Sequence, residues 1–150
     1  MRIRWLPVLL LMVACEPKKA DPRYELHEET VKDTVTGLTW QRRSPDDNAT
    51  LQVHQDYCAN VILDGYSGFR VPTIKELRGI TRKVRVYEAL RQKPAIDRVA
   101  FPGTPTVNFW AVPEADNPKV GVKAWVVDFS DGTSNNLVTP FEGYRVRCVR

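Results

Sequence analysis

The chain has few of the residues that most catalytic and metal sites require. Its 150 residues include two histidines, three cysteines and eight glycines. His27 falls in an exposed-looking strand and His54 on a helix, whereas a zinc site needs three or four ligands. No Ser-His-Asp order, glycine-rich phosphate loop or close carboxylate pair is visible. The sequence therefore predicts no catalytic residue, no cofactor and no metal ligand.

The chain also lacks an apolar run long enough to cross a bilayer, which takes roughly 20 residues. Its longest apolar stretch, Leu6 to Ala14, follows the two basic residues Arg2 and Arg4. A positive start followed by a short apolar run is typical of a secretory signal peptide. We therefore assign residues 1–14 to a signal peptide that is removed on export.

Cys15 stands directly after this apolar run, behind Val13 and Ala14. The junction resembles a bacterial lipobox, with Met12 at the position where leucine is usual. We therefore predict that Cys15 carries a lipid anchor. Two or three acyl chains would hold the protein stably on a membrane. The alternative is an ordinary signal peptide with an unrelated cysteine. Glu16 follows Cys15, and a residue other than aspartate there favours the outer membrane over the inner one.

The remaining sequence divides into a short polar segment and one domain. Residues 15–23 are rich in Lys, Asp and Pro, and predict a solvated tether. Residues 24–150 suit a single domain with one core. Loss of Arg2 and Arg4 lowers the net charge from +4 to +2, so overall charge gives no argument for nucleic-acid binding.

Hydrophobic periodicity predicts two helices. Apolar residues recur at three- and four-residue steps between Thr50 and Leu63, with Asn48 or Thr50 as the candidate N-cap and Gly65 as the candidate C-cap. A second helix begins at the capping box formed by Thr73 and Glu76.

Short strand patterns surround the helices, and proline is frequent after Pro94. This order favours an α+β fold, with two helices packed on mostly antiparallel short strands and a long irregular Pro-rich loop region. The predicted strands cover residues 24–31, 38–41, 108–112, 122–129, 133–138 and 143–149.

Several of these segments follow one known pattern in the same order. They are Asp33 with Thr36 to Gln41, Tyr57 with Cys58, Phe69 to Leu77, Ala124 to Phe129 with Gly132, and Tyr144 to Arg150. Over about residues 31–150 the chain resembles the Lcl C-terminal domain family, a bacterial domain found at the end of a collagen-like adhesin. That family is similar to C-type-lectin-like domains.

The resemblance implies a disulfide between Cys58 in the first helix and Cys148 in the last strand, since such folds pair cysteines at those places. The alternative, two reduced core cysteines, does not suit an exported chain. The resemblance does not imply a calcium-dependent sugar site. Trp125 is followed by two valines, which offer no side-chain oxygen for calcium.

Basic residues around the second helix form the main candidate ligand surface: Lys75, Arg78, Arg82, Lys83 and Arg85. In a continued helix, Lys75, Arg78 and Arg82 would share one face and suit a sulfated or phosphorylated polymer. The alternative is an ordinary solvated face. Trp110 is the candidate for stacking on a sugar ring, or else it packs a loop onto the core.

We therefore expect a lipid-anchored, non-catalytic binding module of the bacterial cell envelope. Its expected partners are the membrane, through the anchor, and an anionic polysaccharide or an envelope protein, with no nucleic acid. Two alternatives stay open: a degenerate or unrecognised enzyme related to the sulfatase-activating fold, and a structural envelope subunit.

Overall fold

Two helices and two small antiparallel sheets make up the folded chain, which confirms the predicted α+β class. The computed structural model describes residues 17–83, 91, 93–114, 124–136 and 143–150. The narrower likeness to C-type-lectin-like domains stays a prediction. The elements are β1 (Tyr24–Leu26), β2 (Thr30–Asp33), β3 (Thr39–Gln41), α1 (Leu51–Asn60), α2 (Ile74–Gly79), β4 (Asn108–Ala111), β5 (Trp125–Asp128) and β6 (Ser134–Asn135).

The first sheet has the order β1-β2-β3. The single strand predicted over residues 24–31 is in fact divided, because the chain turns back between Leu26 and Thr30. A turn follows β2: the Asp33 carboxylate accepts hydrogen bonds from the Thr36 hydroxyl and the Val35 N–H, and Gly37 has a φ of 77°.

The second sheet has the order β4-β5-β6, and the centres of β4 and β5 are buried on both faces. Because side chains alternate along a strand, Phe109 and Val127 face one apolar cluster, with α2 and the first sheet. Trp110 and Val126 face the other cluster, which contains the disulfide. The predicted turn after β5 is confirmed, with a φ of 85° at Gly132.

Helix α1 is shorter than its sequence pattern predicts. Thr50 caps its first turn, and Leu51, His54 and Cys58 are buried as expected. The helix ends at Asn60 with an extended residue at its C-cap. Gly65 therefore does not cap it: with a φ of 79°, it belongs to a separate tight turn.

Helix α2 begins at the predicted capping box. The Thr73 hydroxyl accepts from the Glu76 N–H, and the Glu76 carboxylate accepts from the Thr73 N–H. The same carboxylate receives two hydrogen bonds from Arg70, at 2.6 and 2.8 Å, so Arg70 and Glu76 form an ion pair. Leu77 anchors the helix in the core with 0% exposure.

The last segment, residues 143–150, connects separate parts of the fold and is not one continuous strand. It forms isolated bridges through Tyr144, Arg145 and Val149. Cys148 within it is bonded to Cys58 of α1, with 5.5 Å between the two Cα atoms. The predicted disulfide is thus confirmed, and it ties the last segment to the first helix.

Arg147 is completely buried. Its guanidinium donates to the carbonyls of Gln41 and Arg42 and to the Thr104 hydroxyl, at 2.7–2.8 Å. Its carbon Cζ lies 4.8 Å from the centre of the Phe101 ring. Burial lowers the pKa of Arg147 to about 9, so the group is still a cation at neutral pH.

The end of the predicted tether contacts the domain. Ala20 packs against the first apolar cluster, and the Asp21 N–H donates to the Asp97 carboxylate at 2.8 Å. The Arg23 guanidinium donates to the buried carboxylate of Asp33 and to the Gly79 carbonyl. Ordered contacts therefore begin a few residues before Tyr24, where the sequence places the domain boundary.

Candidate functional site

Helix α2 presents two cations to solvent, Lys75 and Arg78. The apolar side of the helix is held down by Leu77, and residues three apart on a helix lie on the same face. Neither side chain forms a hydrogen bond or an ion pair within the part of the chain that the structure describes. Both positive charges are therefore available to a ligand.

The two cations border an open groove of about 430 Å³, which we call the α2 groove. Its other walls come from the end of α2 and from the turn after β5. Gly132 has a φ of 85°, which glycine adopts readily, and a Cβ there would lie in ordinary van der Waals contact with the Thr81 side chain, at 3.5 Å. The groove is lined by Ile74, Lys75, Arg78, Gly79, Thr81 and Gly132.

Nearby carboxylates limit the positive potential of the α2 groove. Glu76 is bound to Arg70, and Asp33 is bound to Arg23, so each pair is close to neutral. The Glu114 carboxylate accepts a hydrogen bond from the Lys75 backbone N–H at 2.9 Å. The cations here without a carboxylate partner among the described residues are Lys75 and Arg78, with Lys83 exposed farther along the chain, and the Glu114 and Asp131 carboxylates oppose them.

The expected helical stripe ends early, because α2 stops at Gly79. The prediction that Arg82 shares a helical face with Lys75 and Arg78 is therefore wrong. The Arg82 backbone N–H donates to the Ala95 carbonyl, and its Nε donates to the Ile96 carbonyl at 3.1 Å. These bonds hold Arg82 against the Pro-rich region. Arg85 lies outside the described residues.

Residues 29–150 match the family model of the Lcl C-terminal domain. The chain belongs to this family. The match covers both sheets except β1, both helices and the α2 groove. Membership indicates a bacterial binding domain of the adhesin type, and the family is not a known enzyme family. No curated protein matches the chain.

Trp110 does not serve this Lcl C-terminal domain as an exposed stacking platform. Its side chain is 0% exposed, and its indole N–H donates to the Ala49 carbonyl at 2.8 Å. The Tyr144 ring packs edge-on against it, with 4.8 Å between ring centres. The alternative interpretation, packing onto the core, is the one that the structure supports.

Of the two histidines singled out in the sequence, His27 is exposed and His54 is buried. His54 is 1% exposed, and its Nε2 lies 2.9 Å from the Tyr144 carbonyl, which requires that this nitrogen carry the proton. Burial lowers the pKa of His54, although the hydrogen bond to Tyr144 opposes the shift. Cys15 and the signal segment before it lie outside the described residues.

No group of three potential metal ligands occurs among the described His, Cys, Asp and Glu side chains. In the described ranges, no helix has the length and hydropathy of a membrane span.

The sequence did not reveal a second surface groove, of about 350 Å³, beside Tyr66 and Arg150. The signal was present as an Asp-Gly pair at 64–65, the commonest residue pair of a tight hairpin turn. Because the helical pattern before Gly65 favours this glycine as a helix cap, the sequence assigns no role to Tyr66, the exposed aromatic residue that follows it.

Proposed function

We propose that this protein is a non-catalytic, lipid-anchored binding module that holds an anionic polysaccharide of the cell envelope or its surroundings. The observation that carries the proposal is the pair of exposed, unpaired cations, Lys75 and Arg78, on the rim of an open groove. A flexible polymer binds a broad surface through several weak charge contacts, and an open groove permits such contacts along a chain.

The adhesin-type family supports a binding role, and the signal-like N-terminus with Cys15 supports a place at the membrane surface. The domain has a small net charge once residues 1–14 are removed. Attraction for a polyanion must therefore come from a local patch and not from the whole molecule. Binding through exposed charges weakens with salt, because the screening length is about 8 Å at physiological ionic strength.

Retention of the full chain on a heparin column, in mild detergent and low salt, tests the proposal. Replacing Lys75, Arg78 and Lys83 with glutamine should lower the salt concentration at which the protein elutes. A matched variant with glutamine at Lys19, Arg43 and Arg98 loses the same charge at exposed positions outside the α2 groove. That control should elute close to the wild type.

An equal decrease in the elution salt concentration of the two variants would show that heparin binding depends on net charge alone. The α2 groove would then have no specific role in it. Failure of the wild type to bind would refute the proposal for sulfated polymers. Circular dichroism of each variant would establish that the fold is kept.

A further inference from the structure

The outer face of the first sheet carries a row of polar side chains. Glu25 lies opposite Lys32, and Lys32 lies opposite Thr39. Thr39 in turn exchanges two backbone hydrogen bonds with Arg150, at 2.8 and 2.9 Å. Residues directly opposite one another in antiparallel strands point to the same face of the sheet. Their neighbours Val31, Trp40 and Val149 are buried, so the polar row faces away from the core.

A tight turn stands on this outer face and forms one wall of a groove. Leu63 and Tyr66 exchange two backbone hydrogen bonds, at 2.8 and 3.0 Å. Between them Asp64 and Gly65 have φ angles of 49° and 79°, the two positive values that define a type I′ turn. Tyr66 follows at the end of the turn, with 49% of its surface exposed.

The turn is fixed to β2 by a set of hydrogen bonds. The Asp64 carboxylate accepts from the Thr30 hydroxyl at 2.7 Å and from the Glu29 N–H. In return, the Glu29 carboxylate accepts from the Asp64 N–H at 2.8 Å. An exposed tyrosine on a braced turn is preorganised, so a ligand that packs on its ring loses little conformational entropy to order it.

The charged side chains of this groove are candidates for ligand contact. The Arg150 guanidinium carbon lies 4.7 Å from the centre of the Tyr66 ring. A guanidinium stacked on a ring keeps the N–H groups at its edge free for a planar anion. Among the described residues, the side chains of Glu25, Lys32 and Arg150 form no hydrogen bond or ion pair.

These features define the chemistry of a ligand. The groove of about 350 Å³ is at the lower end of ligand pockets, which run from roughly 300 to 1,000 Å³. Arg150 and Lys32 attract an anion, while Glu25 repels a densely charged one and accepts hydrogen bonds from hydroxyl groups. The Tyr66 ring offers apolar area beside these polar groups.

We propose that the Tyr66–Arg150 groove binds a single carboxylate-bearing sugar ring, such as a hexuronic acid unit of a polysaccharide. The carboxylate pairs with the edge of the Arg150 guanidinium, the C–H face of the ring packs on Tyr66, and ring hydroxyls donate to Glu25. This site is separate from the α2 groove, since the two share no lining residue.

Calorimetric titration of the full chain, in mild detergent, with trigalacturonic acid tests this site. Arg150→Gln should weaken binding by about tenfold or more, because a hydrogen bond to a charged group contributes roughly 1.5–3 kcal/mol. Tyr66→Ala should weaken it several-fold, whereas Tyr66→Phe keeps the ring and should bind as the wild type does. The same trisaccharide with its carboxyl groups reduced to alcohols should bind at least about tenfold more weakly.

A variant with glutamine at both Lys19 and Arg43 removes two exposed cations outside both grooves and should leave the affinity unchanged. NMR spectra of the wild type should show the largest shifts at Tyr66 and Arg150. The proposal is overturned if the wild type does not bind, if Arg150→Gln binds equally well, or if the reduced trisaccharide binds as tightly. Largest shifts at Lys75 and Arg78 instead would also overturn it, since the ligand would then occupy the α2 groove.

Discussion

Arg147 shows how a buried charge can hold a fold together without a carboxylate. Its guanidinium links two carbonyls at the end of β3 to Thr104 in the Pro-rich region and stacks on Phe101. Several hydrogen bonds to one charge offset part of its desolvation. The sequence could not predict this burial, because all three acceptors come from positions more than 40 residues away.

Replacing Arg147 should therefore be costly. Arg147→Ala would leave three acceptors without a donor and a cavity beside Phe101, and we expect a loss of at least about 3 kcal/mol in urea unfolding. Arg147→Lys should recover part of the loss, because one ammonium keeps the charge but cannot span all three acceptors. A change below about 1 kcal/mol for Arg147→Ala would contradict this role.

His54 should make stability fall in mild acid. Because burial lowers its pKa in the folded protein, the unfolded chain takes up a proton near pH 6.5 before the folded chain does. The free energy of unfolding should hence be level above pH 7 and decrease below about 6.5, by at most roughly 1.4 kcal/mol per pH unit.

The facing charges, Asp47 and Arg145, act in opposite directions on His54 and do not reverse this sign. His54→Gln keeps a donor for the Tyr144 carbonyl and should flatten the profile between pH 5.5 and 7.5. If the stability of His54→Gln had the same pH dependence as that of the wild type, another group would be responsible for the decrease in mild acid.

At the scale of elements, the caps, turns and buried helix positions that depend on neighbouring residues could mostly be predicted from the sequence. The capping box at Thr73, the turn at Asp33 and the buried positions Leu51 and Cys58 all follow from short-range pattern. The end of α1 could not be predicted in this way, because a glycine after a helical pattern occurs both at helix C-caps and in hairpin turns. Reciprocal hydrogen bonds between Glu29 and Asp64, which are 35 residues apart, accompany the turn conformation.

The same limit applies to the candidate site. Lys75 and Arg78 could be found from sequence because α2 alone places them on one face. The groove beside them also needs the turn at Gly132, and that approach depends on how β5 packs against α2. For the same reason, the sequence could not decide between an open stacking platform and core packing for Trp110: its burial depends on contacts with Ala49 and Tyr144, both distant in sequence.

The disulfide between Cys58 and Cys148 should contribute strongly to stability, because it closes a long loop. The two residues are 90 apart in sequence, for which the chain-entropy model gives about 4–5 kcal/mol, and native bridges typically contribute 2–5. The double variant Cys58→Ala with Cys148→Ala should lose roughly 2–5 kcal/mol in urea unfolding. Unfolding of the oxidised wild type at the same urea concentration as the variant would contradict this.

For the whole molecule, the central expectation is a small binding domain on a lipid anchor. We predict that Cys15 is lipidated and that Cys15→Ser releases the protein from the membrane fraction. Intact-mass measurement of membrane-extracted wild type should show cleavage before Cys15 and the added acyl chains. Recovery of a wild-type chain with an unmodified Cys15 would contradict the prediction.

The most direct test of the account is to locate a bound polyanion on the protein. In an NMR titration of the full chain, in mild detergent and low salt, a heparin hexasaccharide should shift the amide signals of Lys75, Arg78, Thr81 and Gly132 most strongly. These shifts should disappear at high salt, because the contacts are exposed charge pairs. Shifts spread evenly over all exposed cations, or no shifts at these four residues, would contradict the assignment of the α2 groove as the binding site.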